Sequence, residues 1–237
     1  MKIKLFTIPN IITLLNLLCG VLAVREIVAN QNYTLAFWLV ILAACFDFLD
    51  GLVARLLGQS SDIGVQLDSL SDLISFGLTP AFALFYLASG SSSQLDSNFF
   101  IEYLPYLTLI IVPFSALRLA KFNIDDSQHS CFMGLPTPAN ALFCMSMGLL
   151  NQQIGFQLPV VGWGVMALVM SIFMVVPLPM FSLKFKGLGW SENSLRWGFL
   201  ALAVAEIVVL KLFALPAIVV SYILISMAVA ATPQRKA

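Results

Sequence analysis

The stretch CFDFLDGLVARLLGQSSDIGVQLDSLSD, residues 45–72, sets Asp47, Asp50, Asp62, Asp68 and Asp72 in a chain that is otherwise strongly apolar. Asp47 and Asp50 are three residues apart and Asp68 and Asp72 four apart, so on helices each pair shares one face. The polar run GQSSD at 58–62 separates two apolar segments; so short a connection makes them antiparallel neighbours whose acidic pairs can face each other. An ionised Asp in a membrane helix costs about 2.5–3.5 kcal/mol even on insertion scales, so four converging carboxylates need a counterweight. Oxygen ligands, with no histidine in the stretch, suit a hard divalent cation such as Mg²⁺ or Mn²⁺, which often holds phosphate at the same time. Gly51, Ala54 and Gly64 keep the same faces small, and Arg55 lies on the stripe of Asp47 and Gly51, where a guanidinium beside carboxylates suits a phosphate held by both. Asp62 falls in the connection and reads as loop or helix cap.

The surroundings of this stretch are those of a membrane protein. Of 237 residues, 60% are hydrophobic and 10% charged, against about a quarter charged in soluble domains, and the mean hydropathy is +0.95. Twelve Lys and Arg balance twelve Asp and Glu, so net charge gives no reason to expect a nucleic-acid partner. Cys19, Cys45, Cys131 and Cys144 are scattered, without ligand-like pairing, and read as apolar filler. The start, MKIKLFTIPNIITLLNLLCG, has lysines before an apolar run, but Pro9 and Asn10 interrupt it; it is expected to stay as a first helix.

Eight stretches approach the roughly 20 apolar residues that cross a bilayer: 8–29, 33–57, 64–89, 99–121, 136–153, 159–180, 196–212 and 214–232. The last two, which carry Glu206, Lys211 and Pro216, read either as two spans or as one bent helix and a tail. Eight spans starting inside put Lys2, Lys4, Arg55, Arg118, Lys121, Lys184, Lys186, Arg196, Arg235 and Lys236 on the cytoplasmic side, and only Arg25 and Lys211 on the other. By the positive-inside rule both termini are cytosolic, and the acidic cluster faces the cytosol. His129, the one histidine, sits in a polar loop and is expected to be solvated.

Two other readings compete for the acids. Helix-end charges that snorkel, or lock two spans as ion pairs, would explain one Asp but hardly four at these spacings with an Arg and three small residues. A carboxylate-based ion or proton pathway explains the acids but not the glycines or Arg55.

The pattern Asp47-x-x-Asp50-Gly51-x-x-Ala54-Arg55, eight residues, then Gly64-x-x-x-Asp68-x-x-x-Asp72 resembles, without a mismatch, the signature of the CDP-alcohol phosphotransferases. The resemblance implies an all-α integral membrane fold: a six-helix core over residues 1–180, followed by about two additional transmembrane helices in 181–237. It also implies a cavity open to the cytosol, in the cytoplasmic membrane, and a homodimer. By position, Asp47, Asp50 and Asp68 are implied as ligands of two divalent ions, and Asp72 as both a ligand and the base. Gly51, Arg55 and Ser61 are implied as contacts of the CDP-linked lipid, as are Asn10 and Thr13 in PNIIT. Helix capping is the plain alternative for Ser61 and for Asn10.

IPNIITLLNLLCG at 8–20, RLAKFNI at 118–124 and FMGLPTPANA at 132–141 look like the branch of that family that makes phosphatidylserine. Most members of the branch have Arg where Lys121 stands. This likeness implies transfer of the phosphatidyl group from CDP-diacylglycerol to the hydroxyl of L-serine, releasing CMP. Sister enzymes with inositol phosphate or glycerol phosphate as acceptor, or with an ether-lipid donor, share the signature. Arg118, Lys121 and Asn123 are the acceptor-binding candidates; positive-inside anchoring for the cations and helix capping for Asn123 are the alternatives.

Overall fold

The computed structural model describes residues 5–92, 99–124, 132–181 and 189–231. His129, Cys131 and the cations Lys2, Lys4, Lys184, Lys186, Arg235 and Lys236 lie outside these described residues. The elements are α1 (Ile8–Asn30), α2 (Tyr33–Leu57), α3 (Asp62–Asp72), a π-helical segment Leu73–Leu78, α4 (Thr79–Ser92), α5 (Phe99–Tyr103), a 3₁₀ segment Leu104–Ile110, α6 (Ile111–Ile124), β1 (Phe132–Met133), α7 (Thr137–Ile154), α8 (Val160–Val175), β2 (Pro179–Met180), α9 (Trp190–Leu210) and α10 (Ala214–Ala231). The two short strands pair antiparallel, Phe132 with Met180 and Met133 with Pro179.

Local chemistry sets the helix ends. Thr7 caps α1, accepting from the Asn10 amide, and Asn32 caps α2, accepting from Leu35 N at 3.0 Å. Gly58, at φ 61°, closes α2 in the left-handed conformation that costs glycine least. Ser61 caps α3, so Asp62 is not a cap or loop residue but the first residue of that helix, where a negative charge complements the helix dipole. The sixth expected span, 159–180, stops at Val175 instead: Val176 turns extended, as residues before proline do, and Pro177 and Pro179 follow.

Five helical stretches are long and apolar enough to cross a membrane: Ile8–Asn30, Tyr33–Leu57, Asp62–Ser92, Phe100–Ile124 and Asn193–Ala231. Val160–Val175 is a shorter apolar helix. Helix α7 is missing from that set because its ends carry Thr137, Asn140, Asn151, Gln152 and Gln153. It is buried along most of its length, Ala141 and Phe143 through Leu150 included, and a helix in the middle of a bundle need not be apolar enough to face lipid. The last stretch is two antiparallel helices. Ser221 Oγ donates to Glu206 Oε1 at 2.5 Å and the rings of Phe199 and Tyr222 lie 5.8 Å apart, contacts that one straight helix could not make.

The outer faces are apolar: Trp38, Phe48, Leu56, Val208 and Val209 are between 60% and 75% exposed, which suits lipid and not water. Inside, Ala23, Ala36, Ala43, Ala81, Ala83 and Ala88 are fully buried. Small side chains let helices approach closely, which drives association where lipid removes the hydrophobic driving force. Gly20 shows the closest approach of α1: an added Cβ would lie 2.8 Å from Ser75 Cα in the π-helical segment. There Ser75 Oγ donates to Asn16 O at 3.1 Å and Thr79 Oγ1 to Gly20 O at 3.3 Å.

These contacts fix which ends of the helices lie together. One end holds the acidic residues. The other ties Thr34 N to Gln152 Oε1 at 2.7 Å, Gln157 Nε2 to Leu87 O at 3.1 Å and Trp163 Nε1 to Ser91 Oγ at 3.0 Å.

Candidate active site

Helices α2 and α3, joined by the four-residue turn 58–61, bring Asp47, Asp50 and Asp68 together. Each offers a carboxylate oxygen, and these oxygens lie within 4.8 Å of one another. Burial holds them there: Asp50 is 6% exposed, and Asp68 Oδ1 is buried without a hydrogen-bond partner. Three carboxylates this close in a low-dielectric setting repel strongly, and an orphaned acceptor costs about 1–3 kcal/mol. A hard divalent cation answers both, so the cluster can hold a metal ion.

Helix α1 supplies the third wall. Thr13 Oγ1 donates to Asp50 Oδ2 at 2.5 Å and lies 3.1 Å from Pro9 O. One turn further on, Asn16 Nδ2 donates to Asp72 Oδ1 at 3.1 Å. Asp72 is one turn beyond Asp68, stands outside the group of three, and is 7% exposed; the π-helical turn starts immediately after it. Such turns often mark functional positions in helices.

A cleft of ≈ 200 Å³ opens beside the cluster between α1, α2 and α3. Asn10, Thr13, Gly51, Arg55 and Ser61, all sequence candidates, line it together with Asp50 and Asp68. A Cβ on Gly51 would meet nothing nearer than Arg55 Nη1 at 3.9 Å, so that glycine keeps the cleft wide. Gly64 is different, since a Cβ there would lie 3.2 Å from Ser61 Oγ and 3.3 Å from Asn10 Oδ1. Ser61 both caps α3, accepting from Gly64 N at 3.2 Å, and lines the cleft. Asn10 is not a side-chain cap: Thr7 has that place, and Asn10 Nδ2 donates to Leu5 O at 2.8 Å.

The acceptor candidates stand apart from the cleft. Arg118 and Lys121 line a second cavity of ≈ 260 Å³ with Leu117, Met133, Met174 and Val175. Arg118 is 8% exposed, its Nε is buried without a partner, and it lies within Coulombic reach of Asp72 and Tyr222. Asn123 Nδ2 donates to Ser69 Oγ on α3 at 2.8 Å, tying α6 to α3.

Sequence reasoning missed Asn16, although Asn10, Thr13 and Asn16 form a polar stripe at three-residue spacing in an apolar helix. It also missed Gln59 and Ser60, which line the cleft and give no signal beyond a polar turn.

The site and its helices define a polytopic membrane protein with an acidic, metal-competent centre at one end of the bundle. The chain belongs to the CDP-alcohol phosphatidyltransferase family, whose profile matches residues 6–176. Three relatives are each named CDP-diacylglycerol–serine O-phosphatidyltransferase. The protein from Methanocaldococcus jannaschii is 40% identical over 139 residues, 59% of this chain and 59% of its own. That from Helicobacter pylori is 30% identical over 154 residues, 64% of this chain and 61% of its own. That from Bacillus subtilis is 37% identical over 131 residues, 55% of this chain and 69% of its own. The chain thus spans about three fifths of the length of the first two.

Proposed function

We propose that this protein transfers the phosphatidyl group of CDP-diacylglycerol to the hydroxyl of L-serine, giving phosphatidylserine and CMP. The observation that carries it is the convergence of Asp47, Asp50 and Asp68 beside a cleft walled by Gly51 and Arg55. The names of the relatives support CDP-diacylglycerol as donor and serine as acceptor.

Asp47, Asp50 and Asp68 fit a divalent cation by number, closeness and hardness, and with Asp72 would hold two, Mg²⁺ or Mn²⁺. Bound there, the ions supply charge neutralisation of the donor pyrophosphate. Arg55 binds a phosphate oxygen of the CDP moiety as a charge-assisted donor. Gly51 leaves room for the nucleotide, with Ser61, Asn10 and Thr13 offering polar contacts along the same wall. Thr13 also holds Asp50 in orientation through its hydroxyl.

Asp72 is the base. Serine Oγ attacks the diacylglycerol-bearing phosphorus; the new O–P bond forms as the P–O bond to CMP breaks, and the hydroxyl proton passes to the Asp72 carboxylate. A carboxylate is a weak base for an alcohol, so its contribution is positioning within hydrogen-bond reach, and Asn16 keeps it aimed. Arg118 and Lys121 receive the serine carboxylate in the second cavity, with Asn123 bracing that wall. Diacylglycerol tails reach the cleft from the bilayer, while serine arrives from the cytosol, where both termini lie. Residues 1–180 form the catalytic core and 181–237 carry the additional C-terminal transmembrane helices, in a homodimer of the cytoplasmic membrane.

Purified protein given CDP-diacylglycerol, Mg²⁺ or Mn²⁺ and a panel of alcohols tests this. CMP release with serine and not with inositol phosphate or glycerol phosphate is the expected result. Release with another acceptor only would move the chain to a sister activity, and no release with any acceptor would leave the ion-pathway alternative.

A further inference from the structure

The C-terminal hairpin lies beyond the matched family region, which ends at residue 176, yet it packs against the strand pair beside the second cavity. Tyr222 on α10 is 7% exposed and its hydroxyl donates to Phe181 O at 3.0 Å. Its ring packs edge-on against Phe181 with centroids 4.9 Å apart, and Phe199 of α9 closes the group at 5.5 Å from Phe181. Phe181 directly follows β2, whose Pro179 pairs with Met133 of β1. Gly134, next along, donates from its amide to Leu178 O at 2.8 Å and sits at φ 80°, where an added Cβ would clash with the Met174 carbonyl oxygen.

Met133 and Met174 are two of the six residues that line the Arg118 cavity. The Tyr222 hydroxyl therefore anchors the strand pair that gives Met133 to the lining shared with Arg118 and Lys121. Arg118 forms no ion pair among the described residues, and its Nε is buried unpartnered, so the packing of the cavity lining bears on where it points.

We propose that Tyr222 is a positioning residue for Arg118, through which the C-terminal hairpin sets the shape of the second cavity. Which substrate that cavity receives rests on the function proposed above; that Tyr222 acts through Arg118 does not. Loss of the hydroxyl frees the strand pair and reorients Arg118 without touching the acidic cluster.

Tyr222→Phe keeps the aromatic group and removes only the hydroxyl. It is to be compared with Arg118→Ala and the double variant in steady-state kinetics, with thermal unfolding of each in detergent. The expected result is a rise in the serine KM of Tyr222→Phe by about fivefold, the effect of one ordinary hydrogen bond, with kcat and the donor KM unchanged and the double variant no worse than Arg118→Ala. If both single variants shift the donor KM instead, Tyr222 still acts through Arg118 while serine as occupant of the cavity is lost. The proposal is overturned if Tyr222→Phe is kinetically silent while Arg118→Ala is not, if the two effects add, or if all parameters fall together with the unfolding temperature.

Discussion

Asn16 Nδ2 donates to Asp72 Oδ1 at 3.1 Å, linking the first helix to the carboxylate that stands one turn past the metal-competent group. Asn16 is fully buried, and its own backbone carbonyl accepts from Ser75 Oγ, so both ends of the residue are fixed. Such orienting partners typically contribute 10- to 100-fold. Asn16→Leu is therefore expected to lower kcat by about that factor while donor binding, measured as retention of labelled CDP-diacylglycerol, holds. Unchanged kcat would remove Asn16 from the orientation of Asp72.

Thr13 makes a similar link one turn earlier, through its hydroxyl to Asp50. Thr13→Val conserves shape and removes the hydroxyl donor from the Asp50 carboxylate, so the concentration of Mg²⁺ or Mn²⁺ needed for half-maximal CMP release should rise by about 10-fold. Thr13→Ser should behave as wild type. A metal dependence identical in all three would show that the hydroxyl does not act on the cluster.

Two glycines separate folding from function. A Cβ at Gly20 would crowd the Ser75 backbone, and overpacking of this kind costs about 1–3 kcal/mol, so Gly20→Ala should lower the thermal unfolding temperature in detergent. Gly51 has open space around it. Gly51→Ala should unfold at the wild-type temperature yet raise the donor KM, because the methyl enters the cleft. The opposite pattern in either variant would contradict the packing described here.

Asp68 Oδ1 is buried without a protein partner, an acceptor that a bound cation would satisfy. Removing divalent ions with a chelator should abolish CMP release, with recovery on adding Mg²⁺ or Mn²⁺. Binding should also stabilise the folded state by mass action, so wild type should melt higher with the ion than without it. Asp68→Asn should lose both activity and this metal-dependent rise. A rise that persists in Asp68→Asn would put the ion elsewhere.

Much of this architecture is legible in the chain because membrane helices announce themselves as apolar runs bounded by local turn chemistry, as at Asn32, Gly58 and Ser61. The acidic faces are equally local: spacing of three and four residues along α2 and α3, with a short turn between, is enough to bring Asp47, Asp50 and Asp68 together. What sequence did not reveal depends on distant partners. Asn16 matters through a residue 56 positions away, and Tyr222 through Phe181, 41 positions away. The end of α8 was overrun because Val176 is apolar, although Pro177 behind it forces the chain out of helix. The interior place of α7 was not legible either, since the run 136–153 reads as a span whether it faces lipid or other helices.

The most direct test is incorporation of labelled L-serine into lipid by the purified protein with CDP-diacylglycerol and Mg²⁺ or Mn²⁺. Labelled phosphatidylserine should appear in the organic phase, matched mole for mole by CMP, and Asp72→Asn should form neither while still binding donor. CMP released without label entering lipid, or full turnover by Asp72→Asn, would contradict the proposed transfer and the part given to Asp72 in it.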